Sequence, residues 1–193
     1  MEKVNGKDIP KVFISYSWHP EYDKQKAIRL AERLTSDGVY VVIDIWSLKE
    51  GQDKNAFMEK MVTNPSIDKV LLLCNSDYER RANNRNDGVG TEGTIVSAEV
   101  YGKTKQTKFI PVFLEKGKDG KPTLPVFLKH VFGIDFSNDD DLEKNYDLLL
   151  RTIYDKPLQK RPPIGDMPAR LNDKPSYLAT AGMVDAIPSC DTK

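Results

Sequence analysis

The chain has 193 residues, 39% hydrophobic and 30% charged, which suits one packed domain of about 150 residues plus a remainder. Lys and Arg together number 29, as do Asp and Glu, so no basic excess points to nucleic acid or an anionic membrane surface. Two cysteines, Cys74 and Cys190, cannot form a disulfide framework or a four-ligand zinc site, and two histidines, His19 and His130, further limit a metal reading.

In chain order, Lys11-Val-Phe-Ile-Ser-Tyr is a short β-rich run bounded by Pro10 and by Ser-Trp-His-Pro. Beyond Pro20, Ala27, Ile28, Leu30, Ala31 and Leu34 recur at helical spacing, and Gly38 stands where a helix C′ residue belongs. Val39–Ile43 is continuously apolar and β-branched, the pattern of a strand buried on both faces. A polar loop, 44–54, contains Trp46 and Gly51, and a short amphipathic helix from Asn55 stops at Asn64-Pro65. Lys69–Cys74 reads as a third strand, followed by a charged, glycine-bearing loop over 75–90 and a helix from Gly93 to Tyr101. Phe109–Phe113 is a fourth strand whose Pro111 predicts an edge or bulge position. Phe132–Phe136 is a fifth, and a helix over 139–154 closes the domain with Leu142, Tyr146, Leu149, Leu150 and Ile153 on one stripe. Strands alternating with helices predict an α/β, flavodoxin-like three-layer sandwich around a parallel sheet of about five strands, spanning residues 9–156. Ligands of such sheets bind beyond the strand C-termini near the switch in strand order, which selects 15–19, 44–53 and 75–99.

Six of the twelve prolines fall in residues 157–193, which carry neither helical nor strand periodicity. That stretch reads as a Pro-rich linker or docking tail, leading toward a further regulatory or sensor domain. Runs such as Val70–Cys74 are too short to span a bilayer, and the first residues lack the apolar core of a signal peptide. The expectation is a cytoplasmic protein with no membrane or nucleic-acid partner and no cofactor or metal.

Several motifs invite other readings. Gly88-Val-Gly-Thr-Glu-Gly93 fits G-x-G-x-x-G, but the residues before it form no strand, so it lacks the context of a dinucleotide fingerprint. A phospho-acceptor receiver would need an aspartate after the third strand, where Cys74-Asn75 stands. There is no P-loop lysine motif and no nucleophile elbow. His19 beside Pro20 reads as a solvated loop residue, Cys74 as a small buried hydrophobe, and Asp139–Asp141 as an acidic first turn that complements a helix dipole.

The stretches Lys11-Val-Phe-Ile-Ser-Tyr-Ser-Trp, Val42-Ile-Asp-Ile-Trp-Ser-Leu-Lys-Glu-Gly51, Asp68-Lys-Val-Leu-Leu-Leu-Cys, Gly88-Val-Gly-Thr-Glu-Gly and Phe109-Ile-Pro-Val together resemble the Toll/interleukin-1 receptor (TIR) superfamily, particularly its SEFIR-like bacterial branch. The resemblance covers about residues 10–155. It implies the TIR fold and two alternative activities: hydrolysis of NAD, in bacterial defence or signalling and driven by self-association, or a non-enzymatic interaction module. In the enzymes one glutamate lies on the helix before the fourth strand. Counted back from Phe109, that position falls on Glu99, with Glu92 as its rival. On this resemblance Ser15, Tyr16 and Trp18 form one wall of an NAD site, Trp46, Gly51 and Asp53 another, and Ser97 accompanies Glu99. Two departures stand out: Ile95 occupies a position where enzymes often have Trp, and Ser17-Trp18-His19 replaces an arginine sometimes found after the first strand. Asp44, directly after the second strand, is as readily an acceptor for loop amides as a ligand contact. A nucleotide-sugar or deoxyribosyl transferase of the same architecture is a third reading.

Overall fold

Two short strands, β1 (Glu2–Val4) and β2 (Lys7–Ile9), pair antiparallel at the start of the chain. The sequence pattern predicts no strand there. The computed structural model describes residues 2–4, 7–86, 96, 101–102, 105–168 and 171. The chain divides into two units, Met1–Leu158 and Gln159–Lys193, and in the second unit residues 159–168 are exposed without helix or strand.

The central sheet of the first unit contains β3 (Lys11–Tyr16), β4 (Tyr40–Val42), β5 (Lys69–Cys74), β6 (Phe109–Phe113) and β7 (Ile134–Asp135), all parallel, in the order β4-β3-β5-β6-β7. The helices are α1 (Glu21–Ser36), α2 (Asp44–Ser47), α3 (Lys54–Thr63), α4 (Ser76–Asn86) and α5 (Leu142–Ile153). Alternation along the strands sorts the core into two layers. Val12, Ile14, Leu71, Leu73 and Val112 pack with Leu30, Leu34, Tyr146 and Leu149 of α1 and α5. Phe13, Val70, Leu72 and Cys74 pack with Met58, Val62, Tyr78 and Ala82 of α3 and α4. This is the flavodoxin-like sandwich the sequence predicts.

Local chemistry sets the element ends. α1 closes in a Schellman motif: Gly38, at φ +85°, donates its N–H to Thr35 O (3.1 Å), and Val39 donates to Leu34 O (3.0 Å). α3 starts at Asp53, whose carboxylate accepts from the N–H groups of Asn55 (2.7 Å) and Ala56 (3.1 Å).

Four expectations need correction. β4 is the outer strand and Tyr40 is 56% exposed beneath the Lys11 ammonium, although Val39 and Ile43 are buried in one core layer and Val42 in the other. Part of the loop 44–54 is the single helical turn α2. Most of the loop placed at 75–90 is α4, because Asn75 caps its first turn and Tyr78 and Ala82, four apart, give it a buried stripe. Finally, β6 is not at the edge, since β7 flanks it. Leu114 N–H donates to Cys74 O and Phe113 O accepts from Phe136 N–H, so by alternation Pro111 turns its absent N–H toward the β7 side. Pairing with β7 begins only at Val112, so no ladder bond is lost.

Gly38→Ala would force a left-handed backbone on alanine and bring its Cβ to 3.1 Å from Tyr154 Oη. A loss of at least about 1 kcal/mol is expected. It should appear in urea unfolding as a lowered midpoint with unchanged slope.

Candidate functional site

Strand order reverses around β3, and the loops leaving β3, β4 and β5 share one rim of the sheet. Asp44 lies at its centre, 3% exposed at the end of β4. Its Oδ1 accepts from Tyr16 Oη (2.8 Å) and from the Ile45 N–H (2.8 Å), and its Oδ2 from Trp18 Nε1 (2.8 Å). These are charge-assisted bonds from neutral donors, stronger than bonds between neutral groups. Burial, then the charge of Asp44, pushes the Tyr16 phenol far above its ordinary range, so it stays protonated and donating. The Lys54 ammonium sits 3.4 Å from the Trp18 ring centroid, which binds the start of α3 to the same cluster.

The opposite face of the rim holds a second polar chain. Ser15 Oγ lies 3.0 Å from Tyr78 Oη, which also accepts from the Val96 N–H at 3.4 Å. Asn75 Oδ1 caps α4 through the Tyr78 N–H (2.7 Å), while its Nδ2 donates to Asp23 Oδ2 (2.8 Å) and His19 O (3.1 Å). Ser17 Oγ donates to Asp77, which also pairs with Arg80 and, at 2.8 Å, with Arg81. Burial opposes ionisation of Asp77, but the Ser17 hydroxyl and the two guanidinium groups hold its carboxyl below the usual carboxylate range.

The residues expected to form an NAD site fall into three groups. Ser15, Tyr16 and Trp18 stand together at the end of β3 with their polar atoms engaged inside the protein. Asp53 caps α3, Gly51 at φ +82° has open space beside it, and Trp46 is 49% exposed next to Ile45. Ser97, Glu99 and Glu92 lie outside the described residues. The chain leading to Ser97 and Glu99 leaves from Val96, whose side chain is buried and whose amide is bonded to Tyr78. Asn75, Asp77 and Tyr78 were not singled out from the sequence as site residues. An asparagine directly after a buried strand, followed by Ser-Asp, was the available sign of the cap. His19 is exposed, and Cys74 is fully buried, with its thiol pushed up by burial and therefore inert. Among the described residues, no group of three or more His, Cys, Asp or Glu could hold a metal ion, and no helix is long and apolar enough to cross a membrane.

A family model described as "TIR domain" matches residues 12–150. The chain belongs to the TIR domain family. A solved prokaryotic SEFIR domain is 42% identical, covers 81% of this chain and 99% of its own, and superposes with a TM-score of 0.69, which supports the SEFIR-like bacterial branch. Two more distant structures share the fold. The TIR domain of the Toll-related receptor TRR-2 from Hydra magnipapillata is 18% identical, with 74% of this chain and 97% of that one covered and a TM-score of 0.53. The TIR domains of the activated Roq1 resistosome, which recognises the pathogen effector XopQ, are 16% identical, with 75% and 99% covered and a TM-score of 0.53. No curated protein matches the chain.

In this TIR domain, Asp44→Ala strands the buried Tyr16 hydroxyl and the Trp18 indole N–H and is expected to cost about 3 kcal/mol, read by urea unfolding. Tyr16→Phe removes one bond and should cost about 1 kcal/mol. For Asp77, a folded pKa below the unfolded one means the stabilisation is complete above about pH 4 and fades as the pH falls through the folded value. Asp77→Asn should therefore be less stable than wild type at pH 7, and the gap should narrow on acidification. A gap independent of pH would contradict the assignment.

Proposed function

We propose that this TIR domain is an NAD glycohydrolase activated by self-association, with Glu99 as its catalytic carboxylate. One observation carries the reading: the Val96 amide is held by Tyr78, which is held by Ser15. The segment bearing Ser97 and Glu99 thus starts at the same end of the sheet, beside the C-termini of β3 and β5 and on the face opposite the Asp44 cluster. A ligand-binding crevice is expected at such a switch in strand order.

The chemistry asks little of the protein. Breaking the bond between ribose C1′ and the nicotinamide nitrogen returns the electron pair to a cationic ring, which leaves neutral and needs no general acid. The ribose passes through an oxocarbenium-like state. A carboxylate against the ribose holds its hydroxyls and stabilises the developing positive charge, an effect worth a few kcal/mol when preorganised. Water then adds at C1′ and releases a proton to give ADP-ribose, while attack by the adenine of the same molecule gives a cyclic product. In this reading the Asp44 cluster acts by fixing the two loops rather than by touching the reacting atoms. The protein acts in bacterial defence or signalling in the cytoplasm, and residues 157–193 join it to a regulatory or sensor domain.

A second reading, a non-enzymatic SEFIR-type interaction module, is favoured by the exposed Ile45 and Trp46 on α2 and by the 42% identity to a SEFIR domain. Nicotinamide release from NAD by concentrated protein separates the two. Glu99→Gln is expected to lower it about a hundredfold or more, with Glu92→Gln close to wild type. No release from the wild type at any protein concentration would leave the interaction module. In sedimentation, Trp46→Ala should weaken self-association; unchanged association would remove α2 from the interface.

A further inference from the structure

A cavity of about 200 Å³ opens between α1 and α5, on the sheet face opposite to α3 and α4. Its floor is apolar, lined by Leu30, Leu73, Leu114 and Phe136, with the half-buried Leu142 at the mouth. Its rim is cationic. Lys26, Arg29 and Arg33 follow one another along one stripe of α1, three and four residues apart, so all three turn toward the opening. Asp139 is the one carboxylate in the lining.

The three cations differ in how far they are engaged. Arg33 is paired to Glu143 through two bonds of 2.7 and 2.6 Å, and its guanidinium lies 3.6 Å from the Tyr146 ring centroid. Lys26 lies over Tyr22 at 4.6 Å and reaches Asp23 only at 4.0 Å. Arg29 has no carboxylate within ion-pair distance among the described residues, and it is exposed at the mouth. A planar guanidinium with unused donors, above an apolar floor, is suited to bidentate capture of a carboxylate whose carbon body lies below.

From this arrangement we infer that the α1–α5 cavity is a binding site for a small aryl carboxylate, whose ring occupies the leucine-lined floor and whose carboxylate meets Arg29, with Lys26 beside it. Size sets the class. At about 200 Å³ the cavity has room for one ring with a short polar arm. It is smaller than the roughly 300 Å³ at which drug-sized sites begin. A dinucleotide is several times too large, so the site is separate from the one proposed for NAD and does not depend on that reading.

The test uses two probes of equal size, phenylacetate and phenylacetamide, titrated into the full chain and followed by amide NMR shifts. Phenylacetate is expected to give saturable shifts at residues 29–33, Leu73 and Leu114, with the neutral amide about tenfold weaker or more. Arg29→Gln should reduce phenylacetate to the affinity of the amide. Leu142→Trp, which fills the partly exposed mouth, should abolish both without lowering the thermal midpoint. Equal affinity for the two probes, saturable shifts confined to another region, or no saturable shift with phenylacetate would each overturn the assignment.

Discussion

A buried carboxylate that accepts from three neutral donors fixes the shape of the functional rim. Asp44 has left water, and its stability there depends on Tyr16, Trp18 and the Ile45 amide all being in place. The dependence runs both ways, because the phenol and indole are tethered only while the carboxylate is present. Since Tyr16 ends β3 and Asp44 follows β4, this contact joins the loops after two neighbouring strands. Lys54 over Trp18 extends the cluster to α3. Three connections, β3–α1, β4–α2 and α2–α3, are thus held at the sheet end where a ligand would enter.

On the other face, Asn75 has a comparable organising role with uncharged chemistry. Its amide caps α4 with one atom and holds Asp23 and His19 with the other. Tyr78, placed by that cap, receives both Ser15 and the Val96 amide. The Val96 amide is therefore held by a helix whose first turn Asn75 caps. The position that a phospho-acceptor aspartate would occupy in a receiver domain serves here as structure.

The sequence made the sheet legible because buried parallel strands are short apolar runs, and Lys11–Tyr16, Lys69–Cys74 and Phe109–Phe113 are unmistakable as such. Gly38 marked the end of α1 through a backbone conformation few other residues tolerate. α4 was hidden because Glu, Arg and Asn dominate it and only Tyr78 and Ala82 show its buried side. The outer place of β4 was hidden because Val39–Ile43 has the apolar pattern of a central strand. In the rim, chain position alone placed Ser15, Tyr16 and Trp18 at the end of the first strand. Their partners Asp44 and Tyr78 lie 28 and 63 residues away from Tyr16 and Ser15, a pairing that only the fold reveals.

The chain contains two tryptophans, which makes the Asp44 cluster directly observable. Hydrogen exchange of the two indole N–H protons by NMR tests it most directly. The account predicts a Trp18 proton that exchanges far more slowly than that of the half-exposed Trp46 and becomes fast when Asp44 is replaced by alanine. Equal, solvent-like exchange of both indoles in the wild-type protein would contradict it.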